Sequence, residues 1–180
     1  MRISRSVLFL LTFTFSCQTK SHQEAGNEKT GAAIHQDSAS SLTKRPGPDA
    51  PRSAADRLVR ALYFEHNVKE NPLREKKDRS LIDQFFAKPT ADLIWNDAQK
   101  PSGKINRAKI NLLFNASDEA VKKIWVEPAA VGGTKAIVYV TFQQNGNPVE
   151  LKVDLLQVSG RWRITDIIYP DGKQLTTLVE

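Results

Sequence analysis

KAIVYVTFQQNGNPVELKVDLLQV, residues 135–158, decides the fold, because its apolar residues recur at every second position on both sides of a turn. Ala136, Val138, Val140 and Phe142 share one face of a first strand. Val149, Leu151, Val153 and Leu155 form the apolar face of a second, opposed by Glu150, Lys152 and Asp154. Between them, Asn145-Gly146 is the dipeptide that most readily takes positive φ at both central positions of a hairpin turn. Downstream, Ser159-Gly160 makes a second tight turn into a strand over Arg161 to Ile168. Upstream, Gly132-Gly133 leads out of an earlier strand over Ile124 to Val131, which Pro128 bends into an edge or a bulge.

Before Asp118 the period is helical. Ser53 caps a helix whose apolar positions Leu58, Val59, Leu62 and Tyr63 follow the three-four spacing of one buried face. That helix ends between Asn67 and Asn71, where Asn71-Pro72 opposes continuation. A second helix starts near Asp78 or Ser80 and presents Leu81, Ile82, Phe85 and Phe86. Pro89 interrupts it, and Thr90 caps a resumed helix carrying Leu93, Ile94 and Trp95. Pro101 to Lys109 is a polar connection. Helices followed by a meander predict an α+β domain, with the helices packed in the concave face of a curved antiparallel sheet of about four strands.

The N-terminus reads as an address. Met1 to Arg5 supplies two arginines, Val7 to Phe15 an apolar run too short to span a bilayer, and Ser16 a small residue at the point of cleavage. This resembles a bacterial lipoprotein signal over residues 1–16, with Cys17 as the acylated first residue of the mature chain. An ordinary signal cleaved by the general peptidase is the competing reading, because Thr14-Phe15-Ser16-Cys17 is a loose version of the lipoprotein box. Cys17 is the only cysteine, so an intrachain disulfide is impossible. From Gln18 to Arg52 the large aliphatics are Ile34 and Leu42 alone, too few to offset the entropy of ordering. The expected organisation is therefore a signal over 1–16, an acylated Cys17 with a disordered linker over 17–52, and a single domain over 53–180.

The formal charge of +6 does not point to nucleic acid. From Ser53 onward, 19 Lys and Arg face 16 Asp and Glu, a net of +3 typical of a soluble surface, and an exported protein does not meet nucleic acid. The densest run, Arg74 to Arg79, carries two compensating acids and reads first as a solvated loop or helix start, second as a contact for anionic lipid or another polyanion.

Two blocks carry a resemblance: Asn111-Leu112-Leu113-Phe114-Asn115-Ala116-Ser117-Asp118, and Gly160-Arg161-Trp162-Arg163-Ile164-Thr165-Asp166-Ile167. With the order of elements they make the chain, over about Ala54 to Leu178, similar to the bacterial family called domain of unknown function 3828. Its members resemble the nuclear transport factor two superfamily in fold. That resemblance implies a cone-shaped pocket between the helices and a strongly bent sheet. The family usually has Asp-Pro where Asn111-Leu112 stands and Gln at Ser117; if the acid serves a ligand or metal in relatives, this chain lacks that role.

In such a cone, acid-base chemistry needs an oriented base. His66 is the one histidine of the domain, and Asp83, Asp154 or Asp166 is its candidate partner. Alternation places Asp166 on the face of Trp162, Ile164 and Ile168, where a carboxylate is costly unless bonded. Tyr63, Trp95, Tyr139 and Trp162 are the candidate ligand-pocket residues, with core packing as the plainer reading. One histidine cannot build a zinc site, and neither metal nor cofactor is expected. No nucleophile elbow, phosphate loop or dinucleotide fingerprint occurs. The expected function is a non-catalytic binding module tethered to the cell envelope, whose partners are the membrane, through its lipid, and a protein or small molecule. The alternatives are a small enzyme using an Asp/His/Tyr pocket and an immunity-type protein that masks a toxin.

Overall fold

The structure is a computed structural model that describes residues 40–67, 70–74, 78–100 and 109–180. All of them belong to one compact unit, Ala32–Glu180. The signal, Cys17, residues 75–77 of the basic run and most of the 101–109 connection lie outside the described residues.

Helix α1 spans Ala54–Arg60, and a wide π-type turn, Ala61–Glu65, extends it. Ser53 caps it as expected, in a reciprocal box with Asp56. Helix α2, Arg79–Phe85, is capped by the Asp78 carboxylate, which accepts from the amides of Ser80 and Leu81. Helix α3, Lys88–Gln99, begins earlier than expected. Pro89 sits in its first turn, where a missing N–H leaves no bond unmade, so it starts the helix rather than interrupting it. Thr90 is accordingly no cap; its hydroxyl donates to the Thr165 carbonyl at 2.7 Å and fastens α3 to the sheet.

The sheet has five antiparallel strands where about four were expected: β1 (Val121–Val126), β2 (Ala130–Gly132), β3 (Lys135–Gln144), β4 (Asn147–Val158) and β5 (Arg161–Ile168). The extra strand arises at Pro128. The predicted first strand is split there, and both pieces pair with β3. The order is β1-β3-β4-β5, an open sheet. Both hairpins use positive φ at two consecutive residues, Asn145 (52°) with Gly146 (87°) and Ser159 (49°) with Gly160 (75°), the conformation that matches strand twist. A short helix α4, Leu175–Leu178, closes the chain.

Ala136, Val138, Val140, Leu151, Val153, Leu155 and Ile164 are buried and join Val59, Leu62, Phe85, Phe86 and Ile94 in one core. The 111–118 block supplies a plug to it. Asn111 accepts from the Leu113 amide through its side chain, pairs its backbone with Ala116, and donates to Asp118 at 2.9 Å. This folds the loop back on itself and drives Leu112, Leu113 and Phe114 inward. The buried hydroxyls of Tyr63 and Tyr169 donate to the carbonyls of Leu113 (2.9 Å) and Leu112 (2.5 Å), satisfying loop backbone that no ladder reaches. Burial pushes both phenols above their ordinary range.

Candidate functional site

The side of the sheet away from the helices presents the residues between the buried ones. Strand pairing sets Ile137 opposite Asp154, Tyr139 opposite Lys152, Thr141 opposite Glu150 and Trp125 opposite Thr141, all on this open face. Tyr139 therefore cannot line a pocket with Tyr63, as the sequence suggested: Val138 and Val140 on either side of it point into the core.

Of the linker expected to run free to Arg52, the described part, residues 40–52, is fastened across this face. Leu42 lines a cavity of about 360 Å³ with Ile137, Lys152, Asp154, Leu156 and Thr165. Arg45 lies 4.1 Å above the Tyr139 ring, bonds both oxygens of Glu127 at 2.6 Å and reaches Glu150 at 2.6 Å. Those bonds, first to Glu127 and then to Glu150, raise the guanidinium further above its already high value. Arg52 donates to the Val126 carbonyl at 2.8 Å, pairs with the buried Asp56 and covers the Trp125 ring at 5.4 Å. Pro46, Pro48 and Pro51 stiffen the strap between these arginines, which turns where the Ala50 amide donates to the Gly47 carbonyl at 3.0 Å, so holding it costs less entropy than a flexible linker would.

Asp154 and Asp166 meet across β4 and β5, but His66 does not join them. His66 faces Glu70 at 3.9 Å and stands edge-on to Phe85 at 5.1 Å. Asp83 pairs with Arg79 at 2.9 Å. Asp166 does not share the face of Ile164. A register shift opposite Asp154 and Leu155 inserts one residue into β5, so the core face continues at Ile167. Turned away, the Asp166 carboxylate accepts from its own Ile167 amide and from the amide and hydroxyl of Thr176, which ties α4 to β5. Asp154 lies opposite Asp166, 3.3 Å from the Lys152 ammonium, with one oxygen buried and unpartnered. Burial raises its pKa, and the Asp166 charge adds to the rise against the pull of Lys152.

Of the pocket candidates, Tyr63 is wholly buried, while Trp95 and Trp162 are partly buried against the core. Arg79 lies 6.0 Å over the Trp95 ring. The strap was the feature that reading the sequence missed. Its signal was three prolines between two arginines, set against unspent acids on the strands.

No family model matches the chain, and no curated protein matches it. Among solved structures, it is similar to a chain of the type VI native effector-immunity complex Tae3–Tai3 from Ralstonia pickettii, at 21% identity over 67% of this chain and 97% of that one, with a TM-score of 0.44. It is also similar to the phospholipid-binding protein from Ralstonia solanacearum, at 14% identity over 70% of this chain and 80% of that one, with a TM-score of 0.41. Likenesses this distant say nothing about what this chain binds.

Proposed function

We propose that this chain is a non-catalytic binding module, held at the bacterial cell envelope by an acylated Cys17, that engages its partner through the open face of the sheet. One observation carries the reading. The space between helices and sheet is occupied by fully buried Leu62, Tyr63, Phe85, Ile164 and Ile167, whereas the other face carries the exposed Trp125, Tyr139 beneath Arg45 of the strap, and the charged Glu127, Glu150 and Lys152. Aromatic rings with charged neighbours suit a protein contact. The α+β element order and the plug loop also support membership of the domain of unknown function 3828 family and a nuclear transport factor two-like fold.

The full chain, expressed with its own signal, is captured from envelope extracts beside a Tyr139→Glu variant. A partner recovered by the first and lost by the second supports the reading; a partner recovered equally by both places binding elsewhere. Recovery of a secreted toxin would make the module an immunity-type protein. Mass spectrometry should find an acylated Cys17 as the first residue, and a mature chain with a free thiol would remove the tether.

A further inference from the structure

At the β5 edge of the molecule a second feature stands apart from the strap. Phe86 forms a parallel bridge with Ile164, and the Ala87 amide donates to the Ile164 carbonyl at 2.8 Å, which fixes the α2–α3 junction against β5. Between that junction and the β4–β5 hairpin lies a cleft of about 530 Å³, whose charged lining is Arg79, Lys88, Arg161 and Arg163 against Asp83. Arg79 and Lys88 are engaged: Arg79 bonds Asp83 at 2.9 Å and Asp92 at 2.5 Å, and Lys88 reaches Asp92 at 3.1 Å. Arg161 and Arg163, two apart and so on one face of β5, meet no carboxylate among the described residues. Arg163 donates one N–H to the Trp162 carbonyl at 2.8 Å, which steadies its guanidinium and leaves other donors for a ligand.

We propose that this cleft binds a phosphate group carried on a larger molecule. Two guanidinium forks that pair with no carboxylate among the described residues, Asp83 being held by Arg79, match the paired oxygens of a phosphate, and their double positive charge suits a dianion better than a carboxylate. The volume exceeds what a bare phosphate fills, and the exposed Val158 with Phe86 and Ala87 gives the remainder an apolar wall. The phosphate belongs either to an anionic lipid headgroup or to a soluble ester.

The test uses the full chain with Cys17→Ser, so that no acyl group contributes. Inorganic phosphate is titrated by calorimetry, and vesicles of equal phosphatidylglycerol and phosphatidylcholine, or of phosphatidylcholine alone, are scored by flotation. The paired change Arg161→Gln with Arg163→Gln is expected to weaken binding to the anionic vesicles about thirtyfold. Lys122→Gln with Lys123→Gln, which removes the same charge from β1, should leave it within about twofold. Binding of free phosphate that the arginine pair abolishes identifies a soluble ester as sufficient; binding to anionic vesicles alone identifies the headgroup. Arg161→Gln alone, on the exposed hairpin, repeats the comparison if the double variant does not fold. Binding to neither probe, or equal loss in both double variants, overturns the site whether or not Cys17 is acylated.

Discussion

The two faces of this sheet are built from the same strands, one residue out of step. On the helix side, Val138, Val140, Leu151 and Val153 are wholly buried. On the other, Tyr139, Glu127 and Glu150 hold a strap by a stacked arginine and its ion pairs. The first face draws on burial of apolar area, at roughly 25 cal/mol per Å². The second draws on pairs worth roughly 0–1 kcal/mol each at such exposure. Alternation thus divides labour: one face specifies the fold, and the other holds a strap through contacts that contribute little to it.

The largest expected effect lies on the helix side. Phe85 is fully buried, so Phe85→Ala should cost about 3–5 kcal/mol in denaturant unfolding, a large part of an ordinary domain's stability. A loss below about 1 kcal/mol would mean that the helices are loosely docked, and the contrast between faces would fail. Next comes Tyr169→Phe, which leaves the Leu112 carbonyl buried without its donor and should cost about 1–3 kcal/mol. Tyr139→Phe keeps the ring beneath Arg45 and should change stability by less than about 0.5 kcal/mol.

How much of this was legible follows the same division. The three long strands, both hairpins, the Ser53 cap and a helix start near Asp78 were readable, because period, turn chemistry and capping act within a few residues. Asp166 was misplaced because a single inserted residue reverses every side chain beyond it, and the bulge is set by pairing across strands rather than by local sequence. The role of Asn111 was hidden for a similar reason. Its bonds reach Asn71 and Asp118, neighbours only after the loop closes. The strap escaped notice because composition measures whether a segment can form its own core, not whether a neighbouring surface can hold it. Leu42 and Arg45 find on the sheet what their own segment lacks.

Releasing the strap separates the faces directly. Arg45→Ala removes the contacts to Glu127, Glu150 and Tyr139, and should lower stability by about 1 kcal/mol or less, because the guanidinium is 42% exposed. Cleavage by trypsin after Lys44 and Arg52 should nevertheless quicken severalfold while strand amides keep their protection from hydrogen exchange. Loss of protection in β3 and β4 as well would show that the strap belongs to the fold.

The smallest effect tests the open face through pH. Asp154 has its pKa raised in the folded protein, chiefly by burial, so the folded state holds its proton more tightly than the unfolded chain does. Well below the ordinary carboxyl value both states are protonated and the residue costs nothing. As pH rises, the unfolded chain releases its proton first, and stability falls through the window up to the raised folded value. Above that window the penalty is complete. Asp154→Asn should therefore be neutral at about pH 3 and stabilising by a few tenths of a kcal/mol at about pH 7, the size limited by solvent and by the Lys152 pair. Urea unfolding at the two pH values measures it. Destabilisation at neutral pH would mean that the ion pair with Lys152 outweighs burial, and that this acid is held on the open face by its charge rather than in spite of it.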